Sequence, residues 1–421
     1  MKNKIYFGLI VIGFYLSLNS CKKAKEIEYQ NSWNMANEEV FHIMKEWYYW
    51  DYTLPADADM SSYSTPQDAM NSLTYKTYDK WSFVITKEEY NNYFFGNSAI
   101  AYGFSIDENQ KGQLAVSTIS KNSPADQAGL KRGYIISRIN GQNTSGIRDF
   151  SQFCPSTINE SIRLDVVNDD GQTKHLTINA GYINIETVPV YKTINTANGK
   201  YGYIDIESFV EKTPSSIQEA FNYFKTENIK HLIIDLRNNG GGLLTGAEYL
   251  IEQLVPSTAK DMPMYSLKYN YAKSQSYKDV TYKIKSTSSM NLDQIFFLTS
   301  EYTASASEMV INCIEPYKHC VQIGGTTHGK PVGMSTFFYD DWAISPIMFS
   351  IYNKNGEGDY FSGIDPDVFV KANFNYELGD SSESLLNAAL NYKTSATKSL
   401  AKFSPSRKVN FKGIRSIINF F

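Results

Sequence analysis

Three segments of this 421-residue chain carry residue types that can do chemistry. In the run Thr303-Ala304-Ser305-Ala306-Ser307-Glu308-Met309-Val310 a serine is surrounded by small side chains that let a carbonyl approach it. The run follows the apolar stretch ending at Leu298-Thr299-Ser300 and enters an apolar helix, so Ser305 stands beside the free N–H groups of a helix start. Alone, the segment reads first as a helix cap, a common place for serine. In Asp235-Leu236-Arg237-Asn238-Asn239-Gly240-Gly241-Gly242-Leu243-Leu244 a buried strand runs into three glycines. Glycine frees the backbone to aim N–H groups at a phosphate or an oxyanion, and three in a row exceed the needs of a tight turn. The third segment, Gly324-Gly325-Thr326-Thr327-His328-Gly329-Lys330-Pro331, follows a phosphate-binding loop until its last place. Pro331 has neither a hydroxyl for magnesium nor a backbone donor, which excludes a nucleotide site.

These segments need a frame. Apolar runs at Tyr201–Ile206, His231–Leu236 and Gln294–Thr299, separated by a helical pattern over Ser215–Thr226, predict an α/β core with helices on the faces of a sheet. Upstream, Glu38–Trp50 spaces Val40, Phe41, Met44, Trp47, Tyr48 and Trp50 along one helical face, which reads as a core face. Pro55 opens a loop, and a short helix over Asp68–Leu73 is capped near Thr65.

Between these regions the pattern shifts to short strands, Leu114–Ile119 and Ile162–Val167, around Ser123-Pro124-Ala125-Asp126-Gln127-Ala128-Gly129-Leu130. The latter has a capping serine, proline at the first helical position and a closing glycine. Gly133–Gly141 follows as a strand with a turn at Asn140-Gly141. This segment resembles a PDZ domain, a module that binds a peptide C-terminus by strand addition. The resemblance places the carboxylate-binding loop at Ala101-Tyr102-Gly103-Phe104, with Gly103 giving access to backbone and Tyr102 and Phe104 flanking an apolar pocket.

Taken together the motifs resemble the carboxyl-terminal processing peptidases, or tail-specific proteases, over nearly the whole chain. The run Gly363-Ile364-Asp365-Pro366-Asp367 belongs to the same likeness. It implies a multidomain α+β protein: a signal peptide (1–20), a lipidated tether with an N-terminal helical domain (21–95), a PDZ domain of β-sandwich or barrel-like form (96–182), an α/β serine protease core of the crotonase/Clp-protease-like type (183–395) and a basic tail (396–421). It puts the nucleophile on Ser305, the general base on Lys330 (25 residues on) and the oxyanion hole on Gly242, Gly241 and the Ala306 backbone. The chemistry agrees with this. A lysine takes a proton only when neutral; its reference pKa is about 10.4, and burial among small residues lowers such a value by up to roughly 3–5. The implied partners are unfolded or C-terminally exposed proteins and peptides, with copies of the chain associating through the N-terminal helices; neither metal nor organic cofactor is implied. One departure stands out. Many members carry a glutamine four residues after the lysine to orient it, and here that place is Met334, which cannot make that hydrogen bond.

The net charge of −4 gives no basic surface for nucleic acid. At the N-terminus Lys2 and Lys4, the apolar run Ile5–Leu18 and Leu18-Asn19-Ser20-Cys21 form a secretory signal. A cysteine at the cut site resembles a bacterial lipoprotein signal, with the lipid on Cys21 and the protein held in the cell envelope facing periplasm or surface. Cys154, Cys313 and Cys320 are too few for a disulfide scaffold. Two rival readings stay open: a catalytically silent peptide-binding lipoprotein of the same fold, motivated by Met334, and a Ser-His-Asp hydrolase using His328 or His231, which lacks a G-x-S-x-G elbow.

Overall fold

The computed structural model describes residues 33–96, 98–147, 150–276, 280–287 and 290–393. The expected signal peptide, Cys21 and the basic tail lie outside them. The chain divides into two compact units, one of residues up to Lys87 with Asn270–Lys273 and Met334–Met348, the other of the remainder. Among the described residues no helix is long and apolar enough to cross a membrane.

In the first unit a helix over 33–47 buries Val40, Phe41 and Met44 of the expected stripe, with Ala36 and Ile43 beside them; it ends before Tyr48 and Trp50, which are buried from the turn that follows and not from the helical face expected to run to Trp50. Trp47 stays half-buried with the Lys273 ammonium 3.6 Å from its ring centre. The Tyr48 hydroxyl donates to Asp79 Oδ2 (2.8 Å), and Asp79 also accepts the N–H groups of Trp81 and Ser82, so this buried carboxylate is well satisfied. Thr65 caps the helix Pro66–Leu73 by accepting the Asp68 N–H.

The second unit holds the PDZ fold and the α/β core. Five PDZ strands pair in the order Phe104–Glu108, Leu114–Ile119, Ile135–Ile139, Ser161–Val167 and Thr173–Asn179. Phe104–Glu108 is thus an edge strand. Ser123 caps Pro124–Gln127 and packs so tightly on Gly103 (φ +87°) that a Cβ there would lie 2.1 Å from the Ser123 Cβ. Gly103 is therefore required by the domain's own packing. Tyr102 and Phe104 turn inward into the PDZ core rather than outward, both nearly inaccessible.

The core sheet runs Val190–Thr196, Gly199–Asp205, His231–Asp235, Gln294–Thr299, Val321–Gly324 and Val368–Phe369. The first pair is antiparallel and the rest parallel. One face carries Tyr201, Tyr203, Ile233, Phe296, Leu298 and Ile323 against Leu385, Leu386, Ala389 and Leu390 of the C-terminal helix Ser384–Leu390. The helix expected to start at Ser215 begins earlier, at Thr213. Pro214 suits the first helical turn, and the Thr213 hydroxyl ties that start to Ser208 O and Val210 N. The three chemistry-bearing segments all leave the C-terminal ends of parallel strands, the side where open α/β sheets place their sites.

The PDZ fold is bonded to the core. Arg132 Nε donates to Tyr376 O (2.8 Å) and its guanidinium lies over Phe374, while Gln110 Nε2 donates to Lys371 O (3.2 Å). Asp107, on the edge strand, has its carboxyl pushed up to about 7. Burial is the main cause; the Glu108 N–H opposes it, the Glu301 charge adds to it and Lys371 opposes it. An unfolded aspartate titrates near 3.9, so the native state holds this proton more tightly and stability falls as pH rises between those values. Asp107→Asn should be more stable than the parent at pH 8 and indistinguishable near pH 4, read from urea midpoints across that range. A pH-independent difference would contradict the assignment.

Candidate active site

Ser305 stands where the chain leaves the core sheet for the helix Ala306–Ile314, and its backbone is strained, with φ +54° and ψ −115°. A non-glycine residue rarely adopts this conformation, and such strain clusters where a side chain must be held in one direction. Ser305 is half-buried and reachable.

The glycine loop is stitched to this segment. Asn239 O accepts the Ala304 N–H (3.1 Å) and the Ser307 hydroxyl (3.1 Å). Leu236 O accepts the Thr303 hydroxyl (2.8 Å), and Arg237 O accepts the Ser300 hydroxyl (2.5 Å). Gly241 (φ +104°) lies against the Ser305 turn: a Cβ there would sit 2.9 Å from both Ala304 O and Ser305 Cβ. At Gly242 (φ +134°) a Cβ would come within 2.0 Å of Phe209 O. Both positions exclude any side chain. One expectation is corrected here. The Gly241 N–H donates to Asn239 Oδ1 (2.8 Å), so Gly241 contributes clearance and not an oxyanion donor.

Glu308 joins the serine to the lysine. Its buried carboxylate accepts four hydrogen bonds: Thr327 Oγ1 (2.6 Å) and Gly329 N (2.6 Å) on Oε1, Ser305 N (2.9 Å) and Lys330 N (2.8 Å) on Oε2. One oxygen therefore holds the backbones of Ser305 and Lys330 together. Burial raises the Glu308 carboxyl above its ordinary value, against the lowering by these four bonds. Lys330 is itself buried among these groups, 2% exposed. The 360–364 segment packs on the lysine loop: a Cβ at Gly329 would lie 2.5 Å from Phe361 O, and Thr327 exchanges bonds with Ile364 through its N–H (3.1 Å) and its hydroxyl (2.7 Å). Met334 ends the strand Val332–Met334.

A further buried cluster braces the glycine loop. Arg237 donates through Nε to Asp235 Oδ1 (2.9 Å) and forks onto Glu383 (2.6 and 2.9 Å), while Tyr203 Oη donates to Asp235 Oδ2 (2.8 Å). Beside it Asp205 is buried with both carboxyl oxygens unpartnered; burial first, then Glu207 and Asp235, push its carboxyl well above the usual range. Sequence reasoning singled out neither Glu308 nor Glu383. Glu308 left a signal, since an acid three residues after a capping serine is the capping-box spacing. Glu383 left none, being 146 residues from Arg237.

The histidines fare differently. His231 opens its strand and pairs in register with Gln294, the first residue of the strand whose far end leads to Ser305. Strands rise about 3.3 Å per residue, so His231 sits at the wrong end of the sheet to serve as base. His328 lies in the lysine loop, its N–H bonded to Thr303 O (2.9 Å).

The model of peptidase family S41 matches residues 200–370, and that of the S41 N-terminal domain matches 35–83. The chain belongs to peptidase family S41. It is a serine peptidase with a PDZ domain, whose model matches 116–168. The "Probable CtpA-like serine protease" of Staphylococcus aureus (strain MSSA476) is 24% identical over 371 residues, covering 86% of this chain and 70% of that one. Its counterpart in Staphylococcus epidermidis (strain ATCC 12228 / FDA PCI 1200) is 24% identical over 375 residues, covering 87% and 73%. The fold is similar to that of a putative S41 protease from Bacteroides fragilis NCTC 9343, with TM-score 0.67, 23% identity and coverage of 83% and 95%. It is also similar to that of the photosystem II D1 C-terminal processing protease, with TM-score 0.55, 18% identity and coverage of 80% and 93%. The chain thus has an N-terminal helical part, a PDZ domain and an S41 protease core.

In this S41 peptidase Glu308→Gln replaces an acceptor-only group by one whose NH₂ faces N–H donors. Each buried donor left unpaired costs about 1–3 kcal/mol. We expect a lowered urea midpoint and kcat reduced at least about 10²-fold, measured on an unfolded protein substrate with circular dichroism as the folding check. Unchanged kcat would remove Glu308 from the site.

Proposed function

We propose that this S41 peptidase cleaves proteins near their C-termini with Ser305 as nucleophile and Lys330 as general base. The observation that carries the reading is the single Glu308 oxygen shared by the Ser305 and Lys330 N–H groups, beside a loop that admits no side chain at Gly241 or Gly242. The neutral Lys330 amine takes the Ser305 Oγ proton as Oγ bonds to the scissile carbonyl carbon. The N–H groups of Gly242 and Ala306 hold the oxyanion, each such donor being worth about 3–4 kcal/mol. Neither N–H has a backbone acceptor among the described residues. Collapse breaks the C–N bond, and the Lys330 ammonium returns the proton to the leaving amine. Water, deprotonated by the same amine, then hydrolyses the ester.

The PDZ domain holds the substrate's tail as an added strand on Phe104–Glu108, its carboxylate at the 102–104 loop. Supporting this, the strand is a sheet edge, and its last residues lie electrostatically close to Glu301 and Tyr302, just upstream of Ser305. With Tyr102 and Phe104 turned inward, the loop offers mainly its backbone to the tail.

The test uses the chain lacking residues 1–21 and an unfolded protein with an apolar C-terminus. Ser305→Ala and Lys330→Ala should fall to background while remaining folded, His328→Ala should turn over near normally, and amidating the substrate's C-terminus should raise KM. If the parent enzyme is inactive but still binds the tail, the silent peptide-binding reading, motivated by Met334, takes its place.

We also propose that the protein is a bacterial envelope lipoprotein anchored through Cys21, a reading that rests on the signal-like residues 1–21, and that copies associate through the N-terminal helical region. Metabolic labelling with an alkyne fatty acid should tag the parent and not Cys21→Ala, and light scattering of the soluble form should give a mass above the monomer. Equal labelling, or monomer at all concentrations, would refute the respective point.

A further inference from the structure

Glu383 lies beyond residues 200–370, the extent of the S41 model match, and is wholly buried. Its carboxylate does two things. Oε2 accepts the N–H groups of Leu385 and Leu386 (both 3.1 Å), capping the C-terminal helix. Both oxygens also receive the Arg237 fork, NH1 on Oε1 and NH2 on Oε2. Burial alone would raise this carboxyl; the Arg237 charge and the hydrogen bonds from Arg237 and Leu386 outweigh it and hold it below the usual range.

Arg237 is thereby gripped at two edges. Asp235 holds Nε and NH2, with NH2 2.8 Å from Oδ2, and Glu383 holds NH1 and NH2. A planar guanidinium held at one edge can still swing; held at two, its plane is fixed. The Arg237 backbone starts the run through Asn239 to Gly242, and its carbonyl is pinned by Ser300. We propose that Glu383 is a positioning residue for the oxyanion loop: through Arg237 it sets the course of residues 237–242 and hence the direction of the Gly242 N–H. The proposal rests on the Ser305 and Gly242 reading above.

The capping and pairing roles can be separated. Glu383→Gln keeps an acceptor oxygen for the helix N–H groups but loses the charged fork. The helix itself stays docked by Leu385, Leu386, Ala389 and Leu390. In the full soluble enzyme we expect Glu383→Gln to lower kcat about 10²-fold with KM nearly unchanged. A peptide boronate, whose tetrahedral serine adduct places an oxygen in the oxyanion position, should lose affinity in the same proportion, while a C-terminal product peptide should bind as before. Leu386→Ala, which loosens the same helix without touching Arg237, should lower the melting temperature and leave the ratio of boronate to product affinity unaltered. Unchanged kcat in Glu383→Gln, equal losses of boronate and product binding, or the same shift of that ratio in Leu386→Ala would each overturn the proposal. A parent enzyme that cleaves but shows equal boronate affinity in Ser305→Ala would overturn the nucleophile reading instead, and this proposal with it.

Discussion

The site depends on the capacity of one carboxylate. Glu308 accepts four hydrogen bonds from the Ser305 turn and the lysine loop, segments separated by the rest of a helix and a strand. A buried carboxylate with fewer donors would be costly, and four buried donors with no acceptor costlier still. Each side of the arrangement exists because the other does. The strain at Ser305 is sustained in the same way, since its N–H is committed to Glu308 and its neighbours' polar groups to Asn239 and Leu236. Gly241 then removes the side chain that would otherwise stand between the loop and the turn, and Gly242 the one that would strike Phe209.

Much of this was legible in the sequence. The 3.6-residue stripe as far as Met44, the PDZ helix with its capping serine, and the apolar runs of the core sheet fall where local patterning puts them, because each is decided by burial within a few neighbouring residues. Ser305, Lys330 and the glycines were found as separate motifs. What sequence did not convey were interactions between distant segments. The Arg237–Glu383 fork joins residues that no periodicity connects, and the inward turn of Tyr102 and Phe104 is settled by PDZ packing. His231 illustrates the same limit from the other side: its residue type suits a base, and only the strand register shows that it faces the wrong end of the sheet.

The buried charges around Arg237 are better understood as geometry than as stability. Ion pairs removed from water recover little more than their desolvation cost, yet breaking one strands its partner. Tyr203, Asp235, Arg237 and Glu383 form such a set on the sheet face covered by the C-terminal helix, and Arg132, brought from the PDZ fold, lies within reach of their field. Its own guanidinium is lowered to about 10, mainly by burial. Asp205 adds a carboxyl with no partner, which burial, Glu207 and Asp235 push well above the usual range.

The reach of the Arg237 fork also bears on how the chain is made. Synthesis runs from the N-terminus, so the serine, the lysine and all three loop glycines emerge before the acid that completes the bracing. A chain halted after residue 330 but ahead of residue 383 has Ser305 and Lys330 but leaves Arg237 with one carboxylate instead of two. The bracing of the loop is finished only when nearly all of the described fold has been translated.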